Sequence, residues 1–118
     1  MGKILLNGIE YSSGGSSEHI YSTTEQKVGK WIDGKTVYQR VFDFGSDLVI
    51  SNTAFTNTTI DASNMQTLIY ALGIYSTGAT IYNLMPNINN SVIRLQSDRN
   101  NGSANVRYLI LRYTKITD

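Results

Sequence analysis

The stretch KVGKWIDGKTVYQRVFDF, residues Lys27–Phe44, decides how the rest of this chain folds. It consists of two runs of strand-forming residues on either side of the dipeptide Asp33-Gly34. Such a dipeptide is typical of a two-residue type I′ turn, because both central residues need a positive φ, which Gly adopts freely and Asp tolerates. The stretch therefore predicts a β-hairpin.

The turn also predicts which residues of the hairpin share a face. A two-residue loop places Trp31 opposite Thr36 and Gly29 opposite Tyr38, and side chains alternate along each strand. One face is then aliphatic and the other aromatic, with Val28, Ile32, Val37 and Val41 on the first and Trp31, Tyr38, Phe42 and Phe44 on the second. Because both faces are largely apolar, we expect both to be covered, one by the domain's own core and the other by a second sheet, a partner subunit or a ligand.

Length and composition indicate one small β-rich domain. The chain has 118 residues, enough for a single core, with one proline and no cysteine. The absence of cysteine excludes disulfides, thiolate metal sites and cysteine nucleophiles. A net charge of +1 does not indicate a nucleic-acid or anionic membrane partner. No apolar run approaches the ~20 residues of a transmembrane helix, so we expect no membrane insertion.

Residues 1–18 are predicted to be separate from the main domain. Lys3–Leu6 and Ile9–Tyr11 flank Asn7-Gly8, which predicts a second, shorter hairpin. The run SSGGSS at 12–17 has the composition of a flexible linker. We therefore expect residues 19–118 to form the globular domain.

The remaining sequence predicts an all-β fold. Strands are predicted at Asp47–Ser51, Thr58–Asp61, Met65–Tyr75, Ala79–Met85, Ser91–Gln96 and Val106–Ile116. The run Met65–Tyr75 also has a helical stripe, but its β-branched and aromatic residues favour a strand. Eight to ten strands with frequent turns predict an antiparallel β-sandwich of the jelly-roll type.

Two details of these strands are specific enough to be checked. Pro86 is expected to end its strand, so that Pro86–Asn90 forms a loop. In the last strand, alternation places Val106, Tyr108 and Ile110 on one face and Arg107, Leu109, Leu111 and Tyr113 on the other.

No residue pattern indicates catalysis. His19 is the only histidine, and the serines near it lie in the predicted linker, where nothing holds a catalytic geometry. Asp43, Asp47 and Asp61 are spaced as ordinary turn acids, and we do not expect them to come together. We therefore predict that the protein is not an enzyme and uses no metal or cofactor.

Two sets of residues are candidates for ligand binding. A polar loop at Asp98–Ser103 offers amide and charged groups for a hydroxyl-rich ligand, through Asp98, Arg99, Asn100 and Asn101. The loops Asn52–Asn57 and Pro86–Asn90 have a similar composition. The second candidate is Trp31 with Tyr38, whose rings would stack on sugar faces, although packing in a core or an interface is the commoner role of such a pair.

Both ends of the globular part resemble a module of bacteriophage tail-fibre and tail-tip proteins. Residues 21–40, YSTTEQKVGKWIDGKTVYQR, resemble the pattern Y-S-T-x-E followed by G-x-W-I-D-G-K-x-[IVL]-Y. Residues 112–118, RYTKITD, resemble the R/Q-Y-T-K-T-x-D terminus of the same modules, and the leader ILLNGIEYSSGG resembles segments that join fibre modules. The resemblance implies a trimeric β-sandwich at the distal end of a host-attachment fibre.

The expected function follows from this resemblance. We expect a receptor-binding domain of the virion tail that recognises a host cell-surface glycan, forms a homotrimer and contacts other phage tail proteins. One alternative is a structural trimerisation cap that binds no host molecule. Another is a free-standing phage accessory protein that binds a host protein or a small molecule.

Overall fold

The structure, a computed structural model, describes residues 20–99 and 102–117, together with the backbone of two short strands at 4–6 and 9–11. Within this part of the chain all regular structure is β, and no helix is long and apolar enough to cross a membrane. The predicted all-β class is therefore confirmed. The strands are β1 (Ile4–Leu6), β2 (Ile9–Tyr11), β3 (Gln26–Lys30), β4 (Thr36–Ile50), β5 (Thr56–Asp61), β6 (Met65–Ile74), β7 (Ile81–Asn89), β8 (Val92–Ser97) and β9 (Ala104–Lys115).

Strands β3 to β9 form one curled antiparallel sheet of seven strands, in the order β3-β4-β9-β6-β7-β8-β5. β9 follows all the others in sequence but lies between β4 and β6. Strands β1 and β2 form a separate antiparallel pair with Leu6 opposite Ile9, as the N-terminal hairpin prediction required. The predicted linker at 12–17 lies outside the described residues.

Strand β7 pairs with a different neighbour in each of its two parts. Ile81–Asn83 pair with β6, whereas Leu84–Asn89 pair with β8. Pro86 lies in the second part, where the opposite edge of β7 has no ladder to β6, so a residue without an N–H is tolerated. The prediction that Pro86 starts a loop is therefore wrong. The chain turns instead at Asn90-Ser91, whose φ angles of 53° and 62° are those of a type I′ hairpin turn.

The turn at Asp33-Gly34 has three residues rather than the predicted two. The N–H of Gly34 donates to the carbonyl of Trp31 at 2.9 Å, and the N–H of Trp31 donates to the carbonyl of Lys35 at 2.8 Å. Gly34 has a φ of 87°, while Asp33 has no positive φ. This is a type I turn followed by a glycine bulge, the commonest three-residue hairpin loop.

The longer loop changes the register of the hairpin. Gly29 lies opposite Val37 and Lys27 lies opposite Tyr38, with a bulge between Lys27 and Gly29. The predicted pairing of Gly29 with Tyr38 is therefore wrong. Ile32 is 91% exposed at the tip of the turn and packs on neither face.

The core lies inside the curl of the sheet. Its largest fully buried aliphatic residues are Ile50, Ile93, Leu95, Val106, Leu109 and Leu111. On β4 the successive residues Val37, Tyr38 and Gln39 are all buried, so both faces of this strand are covered there, as expected from the sequence.

The predicted alternation of β9 is wrong at the start of the strand. Val106 and Leu109 are both fully buried in the same core, although their spacing of three would place them on opposite faces of a regular strand. The neighbouring β4 breaks its register with β9 between Asp43 and Leu48. At this irregularity the core-facing residues of β9 change from even-numbered to odd-numbered positions. Regular alternation begins only at Leu109.

Candidate functional site

A groove lies between β4 and β5, two strands that form no ladder with each other. Three adjoining cavities of about 360, 220 and 170 Å³ make up this groove. The first two share lining residues, as do the first and third, so the three form one continuous surface, which we call the seam groove. The shared residues are Arg40, Phe42, Ile60 and Asp61 for the first pair and Phe44 and Thr59 for the second.

The seam groove exists because the sheet curls round without closing. β5 is the last strand of the sheet, and β3 pairs with β4 only as far as Gln39. One further bond, from the N–H of Val41 to the carbonyl of Ser22 at 2.9 Å, continues this edge. At the far end the N–H of Ser97 donates to the carbonyl of Ser51 at 2.9 Å and joins the ends of β8 and β4. The opening is therefore bounded at one end by β8 and at the other by the segment that precedes β3.

Aromatic rings and a guanidinium group form one wall of the seam groove. Phe42 and Phe44 alternate along β4 and pack against the edge of the core without being fully buried. The guanidinium carbon of Arg40 lies 4.7 Å from the ring centroid of Phe42, within cation–π range. The Nε of Arg40 donates to the carbonyl of Thr23 at 2.8 Å, which fixes the side chain in place.

A hydrogen-bonded acid, Glu25, lines the 220 Å³ cavity. Its carboxylate accepts from the Nζ of Lys115 at 2.6 Å and from the hydroxyl of Tyr113. Partial burial raises the pKa of Glu25, but these two hydrogen bonds and the positive charges of Lys115 and Arg40 outweigh it, so the net pKa lies below the ordinary value. Burial, and then the bond to Glu25, raise the pKa of Tyr113. Glu25 is therefore ionised at neutral pH.

Three other acids line the same groove, which sequence reasoning did not expect. Asp43 and Asp61 line the 360 Å³ cavity, and Asp47 lines the adjoining 170 Å³ cavity. The hydrogen bond from Arg107 and then the N–H of Gly45 lower the pKa of Asp43. Among the described residues, no group of three His, Cys, Asp or Glu side chains is arranged to hold a metal ion.

The acid on β5 is stabilised by a local turn. The Oδ1 of Asp61 accepts the N–H of Ser63 at 2.9 Å. This bond, followed by that of the Ser63 side chain, lowers the pKa of Asp61. Asp61 is exposed and presents a carboxylate at the rim of the two larger cavities.

The aromatic pair predicted as a sugar platform is not available as one. Tyr38 is only 9% exposed and stacks against Tyr113, with ring centroids 6.2 Å apart. The Nζ of Lys115 lies 4.4 Å from the centroid of the same Tyr38 ring. Tyr38 is therefore a core residue, and Trp31 lies half-buried at the turn.

The polar loop predicted as a binding site is partly described. Asp98 and Arg99 are exposed, and a guanidinium nitrogen of Arg99 donates to the carbonyl of Ser103 at 2.6 Å. The amide of Asn52 donates to the carbonyl of Arg99 at 3.2 Å, so this loop and the one at 52–55 lie at the same end of the sheet. Asn100, Asn101 and His19 lie outside the described residues, and most of Pro86–Asn90 is strand rather than loop.

Sequence reasoning recognised Phe42 and Phe44 as an aromatic stripe but missed Arg40, Thr59 and Asp61 as parts of a site. The alternation of Arg40, Phe42 and Phe44 on one strand was a readable signal. The sequence does not show that β5 faces this stripe, because that depends on the strand order, which local residue patterns do not predict.

No family model, no curated protein and no solved structure matches this chain.

Proposed function

We propose that this chain is a receptor-binding domain of a bacteriophage tail fibre or tail tip, and that it attaches the virion to its host by binding a cell-surface glycan in the seam groove. The observation that carries this proposal is the groove itself. Its main cavity of about 360 Å³ has the size of a small-ligand site, and the adjoining cavities extend it along the strands. The resemblance of residues 21–40 and 112–118 to tail-fibre modules supports the location in the virion.

The chemistry of the seam groove suits a hydroxyl-rich ligand. Phe42 and Phe44 offer apolar surface for the C–H faces of sugar rings. Thr59 and Asp61 on the opposite strand, together with Thr23, line the same cavity and offer hydrogen-bonding groups to a sugar. Each bond to a neutral hydroxyl contributes only about 0.5–1.5 kcal/mol, so we expect a single groove to bind weakly.

Binding without cleavage is part of the proposal. A glycosidase needs one carboxyl group that stays protonated near neutral pH, which requires a raised pKa. Two carboxyl groups of the 220 Å³ cavity, Glu25 and Asp61, have lowered pKa values. Both are therefore ionised and suited to accepting hydrogen bonds rather than to donating a proton.

A sandwich-like arrangement and a homotrimer complete the proposal. The division of β7 between β6 and β8 supports two facing halves that share one strand, as in sandwiches whose strands switch sheets. The outer face of β6 and β7 carries Tyr70, 40% exposed, and Ile81, 63% exposed, which supports burial against further copies. Three weak sites on one trimer would bind a surface through avidity.

The proposal can be tested by cell binding with a blocked groove. Thr59 is exposed and lines two of the cavities, so Thr59→Tyr fills the groove without changing the core. Thr53→Tyr is the matched control, because Thr53 is an exposed loop residue that lines none of the three cavities. We expect the fluorescently labelled wild type and Thr53→Tyr to bind at least one isolate in a panel of bacteria, and Thr59→Tyr to lose that binding.

Two results would change this conclusion. Full binding by a folded Thr59→Tyr variant would move the glycan site away from the groove, with the loop at Asp98–Ser103 tested next. A wild type that binds no isolate and scatters light as a trimer would favour a structural cap of the fibre. A monomer in light scattering at protein concentrations on the order of tens of micromolar would contradict the homotrimer.

A further inference from the structure

Four of the ten cationic side chains of this protein gather where β3, β4 and β9 meet: Lys27, Lys30, Arg40 and Lys115. Lys27 lies opposite Tyr38, and Lys30 lies opposite Thr36. Residues directly opposite each other on paired strands share a face, and so do alternate residues along one strand. Thr36, Tyr38 and Arg40 therefore share a face with both lysines.

Two side-chain contacts agree with this placement. The Nζ of Lys30 donates to the hydroxyl of Thr36 at 3.3 Å. The Nζ of Lys115, from the other side of β4, lies over the Tyr38 ring at 4.4 Å from its centroid. We call these four cations the basic cluster. The corrected register creates it, because the predicted register would have placed Gly29 rather than Lys27 beside Tyr38.

The basic cluster continues directly into the seam groove. Arg40 and Lys115 line the 220 Å³ cavity, together with the carboxylates of Glu25 and Asp61. Glu25 already accepts two hydrogen bonds, from Lys115 and Tyr113. The two cations and two carboxylates that line this cavity balance each other, so the excess of positive charge comes from Lys27 and Lys30 on β3, and the turn beyond them adds one charge of each sign through Lys35 and Asp33.

We propose that the basic cluster is an anion subsite of the seam groove, and that the glycan bound there carries phosphate or carboxylate groups. This inference rests on the proposed function, since it specifies the class of glycan. Lysine ammonium groups are compact point charges with three donors each, which suits a phosphate or carboxylate that approaches from solvent. Lys27 and Lys30 are exposed on β3, next to the end of the groove that the segment before this strand bounds, where they can attract an anionic polymer.

The test uses three dextrans of equal chain length that differ only in charge: uncharged dextran, carboxymethyl dextran and phosphorylated dextran. We expect the wild type to bind the two charged polymers more tightly than the neutral one, with affinity that falls as salt is added. Inorganic phosphate serves as a competitor and shows whether phosphate alone occupies the subsite. The double variant Lys27→Gln/Lys30→Gln should weaken binding of the charged dextrans about tenfold.

A charge-matched control separates this subsite from general attraction. Arg94→Gln/Arg112→Gln also removes two positive charges, but both arginines are half-buried outside the basic cluster, bonded to Asn87 and Gln39 respectively. We expect this control to retain affinity for the charged dextrans. Equal weakening of both double variants, or equal affinity of the wild type for all three dextrans, would overturn the inference.

Cell binding distinguishes this inference from the proposed function. If Lys27→Gln/Lys30→Gln binds host cells as well as the wild type does, the receptor-binding function stands and the anion subsite is wrong. If no isolate binds the wild type, but charged dextrans bind through Lys27 and Lys30, the subsite stands and the receptor-binding function is wrong. Thermal unfolding of each variant shows that it is folded before either result is interpreted.

Discussion

Gly73, in the part of β6 that faces the core, offers a direct test of the packing. An added Cβ would lie 2.8 Å from Cγ2 of Val106 and 2.9 Å from Cδ1 of Leu84. Val106 is fully buried and branched at Cβ, so it has little freedom to turn aside. Overpacking costs about 1–3 kcal/mol, and the reduced freedom of alanine in the unfolded chain returns about 0.4–1 kcal/mol. We expect Gly73→Ala to destabilise the fold by about 1–2 kcal/mol.

Thermal unfolding followed by circular dichroism measures this change. An unfolding entropy of about 2.1 cal/mol/K per residue over 118 residues gives about 0.25 kcal/mol/K, so the Tm should fall by about 4–8 °C. Gly29→Ala is the control, because no atom lies within 4 Å of its added Cβ, and it should not lower the Tm. In a Val106→Ala background, Gly73→Ala should cost less, since the Val106 methyl groups at 2.8 and 3.2 Å are gone and only Cδ1 of Leu84, at 2.9 Å, still crowds the added Cβ. An unchanged Tm for Gly73→Ala alone would refute the close packing of β6 on β9.

Three further predictions concern the turns and the acid in the groove. Gly34→Val, at a φ of 87°, should cost about 1–3 kcal/mol in urea unfolding, whereas Gly34→Asn should cost less; equal values would contradict the glycine bulge. Asn90→Val should destabilise the β7–β8 hairpin and Asn90→Gly should not, because Asn90 has a φ of 53°; a harmless Asn90→Val would exclude the type I′ turn. The folded-state pKa of Glu25 lies below its ordinary value of 4.5, so the stability that this carboxylate contributes is present above that pH and is lost as the pH falls through the folded-state pKa. Glu25→Gln should therefore flatten the fall of the Tm at acid pH. An unaltered dependence of the Tm on pH would count against the Glu25 contacts.

Local pattern predicted most of the strands because it depends on neighbours in sequence. Met65–Tyr75 could have been helix or strand, and its β-branched and aromatic residues decided correctly for strand. The turn Ser76–Gly78 also follows from its glycine, which has a φ of 78°. The hairpin at Asp33-Gly34 exists as predicted.

The errors arose where neighbours in space override the local pattern. Asp33-Gly34 suits two loop lengths, and the sequence does not distinguish a two-residue turn from a three-residue loop with a glycine bulge. Pro86 predicts a strand end, but β7 changes partner near that residue and has a free edge there. The residues of β9 that face the core change at the point where β4 breaks its register, between Asp43 and Leu48. The position of that break depends on how the two strands pair.

The candidate site was the least predictable feature, because its two walls come from strands that do not pair. Phe42 and Phe44 were visible as a stripe, yet Thr59 and Asp61 face them only because the sheet curls round and brings its last strand β5 back beside β4. The basic cluster depends on the register of β3 against β4, which differs from the predicted one. Both features therefore required the three-dimensional arrangement.

The position of β9 has a consequence for how this protein is synthesised. The ladder between β4 and β9 joins residues as far apart as Tyr38 and Tyr113, so the sheet depends on contacts that are distant in sequence. Such folds form slowly, and a chain made from its N-terminus exposes β4 and β6 as unpaired edges until β9 emerges from the ribosome. During that interval the two edges can pair with other chains. Slowing translation between β6 and β9 should therefore increase aggregation.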